Sequence, residues 1–192
     1  MGGINCHLPQ PTRPIVTMTD LRNAGTEYAK VVKNIFDFSA YFSLANSNIE
    51  KAMLNEINNK EEAKSYCYEA IDQFKKAMNI SQSTHLLLNK FIKEIPVLEN
   101  QGTDYTSEMQ LKKMSQLLLR AAKNQQKLIQ AYENSDIEKH ILSGDLNRTI
   151  RNNSVTEYTE KLAQDLADIM IDLKNHSMYD RAETNILNKA AV

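Results

Sequence analysis

The length, composition and charge of this chain exclude several classes of protein. Its 192 residues, 42% of them hydrophobic, are enough to bury the core of one domain. Lys and Arg number 23 and Asp and Glu number 24, so the formal net charge is −1 and indicates neither a nucleic-acid-binding surface nor a basic helix that lies on a membrane.

Residues 1 to 16 are predicted to form a flexible N-terminal tail. Three of the four prolines fall in this segment, which carries few apolar side chains. The first six residues, MGGINC, approach the N-myristoylation pattern at Gly2, although the pattern requires Ser or Thr where this chain has Cys6. With Gly2 acylated, Cys6 is a natural palmitoylation partner, so membrane anchoring through the tail is one hypothesis.

The first predicted helix begins near Thr17 and ends before the pair Asn58-Asn59. Thr17 and Asp20 have the spacing of a capping box, and apolar residues then recur at alternating spacings of three and four. The two apolar rows comprise Leu21, Tyr28, Ile35, Phe42 and Ile49, and Ala24, Val31, Phe38, Ala45 and Ala52. Such a pattern predicts a long helix that is buried along one side.

The second and third predicted helices repeat this spacing. The second begins at a cap formed by Asn59 and Glu62 and ends before Pro96, and the third begins after Gly102. The row of the second helix comprises Ala63, Cys67, Ala70, Phe74, Ala77, Ser81, Thr84, Leu88, Phe91 and Ile95. The row of the third comprises Leu111, Met114, Leu118, Ala121, Gln125, Leu128 and Tyr132.

A short helix and a last long helix are predicted after the third. Ser135 and Glu138 have the spacing of a cap and open a short helix that Gly144 ends. A connector, residues 145 to 153, leads to a capping box that starts at Ser154 and opens the last helix. Its row comprises Val155, Thr159, Leu162, Leu166, Ile169 and Leu173.

These elements predict an all-α fold. Four long helices joined mostly by short turns favour an antiparallel up-down-up-down four-helix bundle, with a short extra helix before the last one. The bundle is expected to form a single domain that spans residues 17 to 192.

Three stretches resemble the four-helix sensor domains of bacterial chemotaxis receptors. They are NAG from Asn23, AIDQFKKAM from Ala70 and LLRAAKNQQKLIQAYEN from Leu118. The resemblance implies a four-helix bundle. The charged residues that usually follow Ala-Gly in those domains are replaced here by Thr-Glu-Tyr, so no binding residue is inferred from it.

Motifs of catalysis do not appear in the sequence. It contains no glycine-rich phosphate loop, no HExxH and no CxxC, and none of its four histidines follows a Glu at the ExxH spacing of di-iron bundles. We therefore predict that the protein is not an enzyme and carries no cofactor.

A metal site is one hypothesis for the end of the bundle. His176, Asp180 and Glu183 share one stripe of the last helix, and His85 of the second helix is expected near the same end. Imidazole and carboxylate groups can hold a divalent metal. The alternative is a stripe that becomes exposed where the last helix extends beyond the bundle.

Three polar residues interrupt the apolar rows and admit two interpretations. Ser81, Thr84 and Gln125 either line a ligand-binding cavity between helices or fix the register of the helices by hydrogen bonding.

The favoured function is a non-enzymatic protein-interaction module of the adaptor, self-associating or secreted effector type, which binds another protein or a second copy of itself. Its basis is an apolar excess beyond a single stripe, which comprises Val32, Phe36, Met53, Ile71, Met78 and Ile92. The alternative is a ligand- or metal-sensing bundle. No nucleic-acid partner, transmembrane segment or signal peptide is expected, which favours the cytoplasm by default, with leaderless export as the second hypothesis.

Overall fold

The described part of the chain is entirely helical in its regular elements. The computed structural model describes residues 18–94, 104–152 and 155–175, and no strand occurs within these ranges. The helices are α1 (Met18–Asn55), α2 (Lys60–Glu94), α3 (Asp104–Asn134), α4 (Ile137–Ser143), α5 (Leu146–Asn152) and α6 (Val155–Asn175). The prediction of an all-α fold is confirmed. The predicted tail, residues 1 to 16, lies outside the described residues.

α1 and α2 pack side by side in opposite directions. Near the start of α1 the ring of Tyr28 lies 6.2 Å from the ring of Phe91, close to the end of α2. Further along α1, the side-chain amide of Asn48 donates to Gln73 at 2.8 Å, in the middle of α2. Residue numbers therefore rise along one helix as they fall along the other.

The same reversal relates α2 to α3 and α3 to α6. The Ser81 hydroxyl of α2 donates to the Leu118 carbonyl of α3 at 2.8 Å, and Lys75 pairs with Glu133 at 2.6 Å. The Nε of Arg120 on α3 donates to Asp165 of α6 at 2.9 Å, and Lys113, earlier on α3, pairs with Asp172, later on α6, at 3.3 Å. These contacts form a helical bundle in which consecutive long helices run in opposite directions.

The predicted apolar rows form the core. Every member of the rows on α1, α2 and α3 whose side chain is described is buried, whereas Thr159 and Leu166 of α6 are half-buried. The core comprises two clusters, one around Phe42 and Phe74 and the other around residues such as Leu88. The polar residues Ser81 and Thr84 of α2 lie between these clusters.

The apolar excess predicted on α1 and α2 is largely absorbed by this core. Val32, Ile71 and Ile92 are buried, and Met53 and Met78 pack partly against the interior, whereas Phe36 is 40% exposed. Among the described helices, none has an apolar stretch long enough to cross a bilayer.

The start of α2 confirms the predicted cap. The Glu62 backbone N–H donates to the Asn59 side-chain oxygen at 3.2 Å, and the Asn59 side-chain amide donates to the Glu62 carboxylate at 2.8 Å. The first bond satisfies one of the backbone donors that the first turn of a helix leaves free, and the second joins the two side chains.

The predicted cap of α4 is wrong. The Ser135 hydroxyl donates backwards to the Tyr132 carbonyl at 2.7 Å, and the residue at the cap position is Asp136, in the left-handed region with φ 50° and ψ 58°. The predicted stop is confirmed, because Gly144 ends α4 with φ 69°.

The connector predicted over residues 145 to 153 is wrong for most of its length, because residues Leu146–Asn152 form α5. Leu146 and Ile150, one turn apart, are buried in the core. The carboxylate of Glu56, 7% exposed at the end of α1, accepts the Leu146 backbone N–H at 3.0 Å. Two short helices therefore precede the last long one, and Glu56, the residue after α1, supplies the cap of the second.

Removal of this remote cap is expected to destabilise the fold. Glu56→Ala leaves the Leu146 N–H without its acceptor, so the free energy of unfolding should fall by about 1–2 kcal/mol, as for the loss of a helix cap. Glu56→Gln retains an oxygen acceptor and should lose less. Urea unfolding followed by circular dichroism measures both, with the exposed Glu50→Ala of α1 as the control. Equal stability of Glu56→Ala and the wild-type chain would contradict this role.

Candidate functional site

A cleft of about 500 Å³ lies between α2, the end of α3 and α4. Its lining includes four carboxylates, on Asp72, Glu133, Asp136 and Glu138, but only one lysine, Lys75. Two tyrosines and two isoleucines complete the lining: Tyr68, Tyr132, Ile71 and Ile137. The cleft thus combines apolar walls with an excess of negative charge, which suits a ligand with an apolar part and a cationic part.

The turn between α3 and α4 builds one wall of the cleft. α3 ends at Asn134, and the left-handed backbone of Asp136 redirects the chain so that Ile137 and Ile141 of α4 are buried against the bundle. Left-handed backbone is uncommon for residues other than glycine, and Asp and Asn tolerate it best. The Asp136 side chain makes no capping hydrogen bond, so its carboxylate is left beside the cleft.

Ion pairs and hydrogen bonds occupy the other carboxylates. Glu133 pairs with Lys75 at 2.6 Å, and Asp72 pairs with Lys76 at 3.0 Å. The Tyr68 hydroxyl donates to Glu138 at 2.5 Å, and this hydrogen bond, together with Lys64 at 3.8 Å, lowers the pKa of Glu138. The same hydrogen bond raises the pKa of the Tyr68 hydroxyl.

Tyr132 supplies a polar group from the interior. It is 3% exposed, and its ring stacks on Phe74 with centroids 5.7 Å apart. Burial raises the pKa of its hydroxyl, which therefore stays protonated near neutral pH. No described residue hydrogen-bonds this hydroxyl. The hydroxyl is not among the described buried polar atoms without a partner, so it is open to solvent at the cleft, where a ligand is able to take the place of water.

A second polar cluster joins α2 to α3 through His85, Asn89 and Ser115. The Ser115 hydroxyl lies 2.9 Å from His85 Nδ1 and donates to the Asn89 side-chain oxygen at 2.6 Å. His85 Nδ1 also lies 2.8 Å from the Ser115 carbonyl, and its Nε2 lies 3.2 Å from the Asn89 amide nitrogen. A neutral imidazole with its proton on Nδ1 satisfies all of these contacts.

This cluster contains a serine beside a histidine, but its hydrogen bonds serve to join α2 to α3. Ser115 is 3% exposed, and its hydroxyl proton is directed to Asn89 rather than to the imidazole. A nucleophilic serine needs access to a substrate and a free base to take its proton. Both ring nitrogens of His85, which was also predicted as a metal ligand, are occupied by protein groups.

The three polar residues predicted to line a ligand cavity have different surroundings. Ser81 donates across the interface to the Leu118 carbonyl, and Thr84 donates to the Ile80 carbonyl of its own helix at 2.6 Å. Gln125 is fully buried, and neither its amide nitrogen nor its oxygen has a hydrogen-bond partner among the described residues. Ser81 therefore makes a contact that can fix register, whereas Gln125 makes none.

The remaining predicted site residues lie outside the described residues. They are His176, Asp180 and Glu183 of the metal hypothesis, and Gly2 and Cys6 of the acylation hypothesis. Within the part of the chain that the structure describes, no group of three or more His, Cys, Asp or Glu residues could hold a metal ion. Both hypotheses stay predictions.

Sequence reasoning missed the cleft, because its residues come from separate elements. Tyr68 and Glu138, which form a hydrogen bond, are 70 positions apart. The one local signal was the turn composition Asn-Ser-Asp at residues 134 to 136, which favours a change of chain direction. Comparisons of the chain with protein-family models, with curated proteins and with solved structures found no match.

Replacement of Gln125, whose buried amide has no described hydrogen-bond partner, is expected to stabilise the fold. Gln125→Leu removes buried polar atoms without hydrogen bonds and keeps most of the volume, so the free energy of unfolding should rise by about 1–3 kcal/mol. The control is Gln126→Leu at the exposed neighbouring position, which should change little. Urea unfolding of the three proteins gives the comparison. A loss of stability in Gln125→Leu would show that the amide has a partner in solution.

The buried thiol of Cys67 is expected to make the fold less stable at alkaline pH. Burial raises the pKa of the Cys67 thiol from 9.0 to about 12, and nearby Glu56 adds to the effect. The raised pKa makes a stability contribution that is complete below the unfolded pKa and is lost as the pH rises towards the folded one. The wild-type chain should therefore lose about 1.4 kcal/mol more than Cys67→Ala between pH 8 and pH 10.

The measurement is the difference in unfolding free energy between the two proteins at each pH, because this difference removes the contribution of titrating groups remote from Cys67. Parallel pH profiles would contradict the raised thiol pKa.

Proposed function

We propose that this protein is a non-enzymatic protein-interaction module and that its partner binds at the cleft between α2, α3 and α4. The observation that carries the proposal is the hydroxyl of Tyr132, which comes from a residue that is 3% exposed, has no described protein partner and reaches the solvent in the lining of a charged cleft of about 500 Å³. A bound partner that accepts or donates a hydrogen bond there would replace the water at this hydroxyl.

The backbone of Asp136 supports the same surface. Its left-handed conformation costs on the order of 1–3 kcal/mol for a residue other than glycine, and such strain concentrates at binding sites. Here the strained residue places an unpaired carboxylate at the cleft. The proposal of a binding surface gives this conformation a role.

The second candidate is a ligand-sensing bundle, and the observation that favours it is Gln125. Its amide offers two donors and an acceptor inside the core, without protein partners among the described residues. Metabolite mixtures that raise the melting temperature of the wild-type chain but not of Gln125→Leu would support this function over the first.

A steric block tests the favoured function whatever the chemistry of the partner. Asp72→Trp places a large ring in the lining of the cleft, and Asp37→Trp is its matched control on α1. Each of the two aspartates pairs with a lysine four positions away on its own helix, at 3.0 Å for Asp72 and 2.7 Å for Asp37. Both substitutions therefore remove one surface ion pair of the same kind.

We expect the wild-type chain and Asp37→Trp to retain the same protein from a lysate of the source cells, and Asp72→Trp to retain at least about tenfold less, equivalent to about 1.4 kcal/mol of binding energy. Quantitative mass spectrometry of the retained proteins measures this, and light scattering shows whether the partner is a second copy of the chain. Equal retention by all three proteins, or retention of nothing by the wild-type chain, would contradict the proposal.

A further inference from the structure

The lining of the cleft points to the chemistry of the group that it holds. We propose that the cleft receives the ammonium or guanidinium group of a single lysine or arginine side chain that projects from the partner protein. This inference rests on the proposed function and adds to it the class of side chain that is recognised.

The charges around the cleft leave negative charge unbalanced. Four carboxylates line it, and three lysines pair with three of them: Lys75 with Glu133, Lys76 with Asp72, and Lys64 with Glu138. Lys64 also pairs with Glu61 at 3.9 Å, so these lysines do not balance the carboxylates around them. The lining carboxylate without a lysine is that of Asp136, so an additional cation beside Asp136 would offset negative charge at the site.

The tyrosines of the cleft are available to a cation. Elsewhere in the described structure, lysine ammonium groups lie over three tyrosine rings, those of Tyr66, Tyr41 and Tyr158, at 5.7 to 5.9 Å from the ring centroids. None of these described contacts involves Tyr68 or Tyr132. The two rings that line the cleft are therefore not covered by the protein's own described lysines, although aromatic faces attract ammonium and guanidinium groups.

The buried parts of the cleft suit the rest of such a side chain. Ile71 and Ile137, 7% and 6% exposed, contribute apolar surface on which the methylene groups of lysine or arginine can pack. The phenolic oxygen of Tyr132 has no described partner and can accept an N–H from the cationic head. Carboxylate ligands are disfavoured, because they would face the four carboxylates of the lining.

The test uses peptides that differ at one position. The peptides are acetyl-Gly-Ser-X-Ser-Gly-amide with lysine, arginine, norleucine or glutamate at X, titrated into the full-length ¹⁵N-labelled chain. We expect lysine and arginine peptides to shift the amide signals of Tyr132, Asp136 and Ile137. Norleucine, which has an apolar chain of similar length without the charge, should bind at least about tenfold more weakly. The glutamate peptide should not bind.

Single substitutions test separately the contributions of the Asp136 charge, the Tyr68 ring and the Tyr132 hydroxyl to peptide binding. Asp136→Asn keeps a residue that tolerates left-handed backbone and should weaken the lysine peptide about fivefold, whereas Glu160→Gln, an exposed carboxylate of α6, should not. Tyr68→Leu should weaken binding about threefold, and Tyr68→Phe, which keeps the ring, should not. Tyr132→Phe should leave the unfolding free energy nearly unchanged and weaken the peptide about threefold.

Equal affinity of the lysine and norleucine peptides, or an unchanged affinity in Asp136→Asn, would overturn the inference. Free n-butylammonium that binds as tightly as the lysine peptide would assign the cleft to small amines instead of a protein side chain and would also overturn it. If Asp72→Trp abolishes partner capture while the peptides show no preference for a cation, the proposed function stands and the inference fails. If the cleft binds the cationic peptides but the wild-type chain captures no partner, the proposed function fails and recognition of a cation by the cleft stands.

Discussion

The packing of Phe74 against two other aromatic rings, tilted against one and stacked on the other, is the contact on which the rest of the structure depends. Its ring lies 6.1 Å from that of Phe42 on α1 and 5.7 Å from that of Tyr132 on α3, so one side chain of α2 joins three helices. Such aromatic pairs add about 0.5–1.5 kcal/mol each to the burial of the rings. Because Tyr132 also lines the cleft, the packing that aligns α3 with α2 sets the position of the cleft wall as well. Tyr132 therefore belongs both to the core and to the lining of the proposed binding surface.

Features with local causes were predictable from the sequence. The apolar rows follow from the helical repeat, which places residues such as Phe38 and Ala45 on one side wherever the helix packs, and both are fully buried. The cap of α2 needs only Asn59 and Glu62, three positions apart, and forms as predicted. The end of α4 needs only a glycine that accepts positive φ, and Gly144 supplies it. In each case the residues that decide the structure are neighbours in the chain.

Features with distant causes were not predictable. α5 receives its cap from Glu56, 90 positions earlier, and no pattern near Leu146 indicates that partner. Ser135 has the correct spacing for a cap, yet its hydroxyl bonds the Tyr132 carbonyl, since serine side chains compete for any nearby backbone group. The cleft depends on the second of these features, because the turn at Asp136 and the docking of α4 create its wall. A single sequence without an alignment shows which residues are present, but it does not show that the residues of this site lie close together.

The polar residues of the core show that surroundings, rather than residue type, decide the role. Ser81 is short, and its hydroxyl reaches the Leu118 carbonyl because small side chains flank it, with Ala77 on α2 and Ala121 on α3 both fully buried. One turn further along α2, the hydrogen bond between His85 and Ser115 joins the same pair of helices. The α2 and α3 helices are thus joined by satisfied hydrogen bonds at one level and by Phe74 and Tyr132 at another. The proposed binding surface is built on this doubly fixed pair, so we expect that little of the binding energy of a partner would be spent on ordering the cleft.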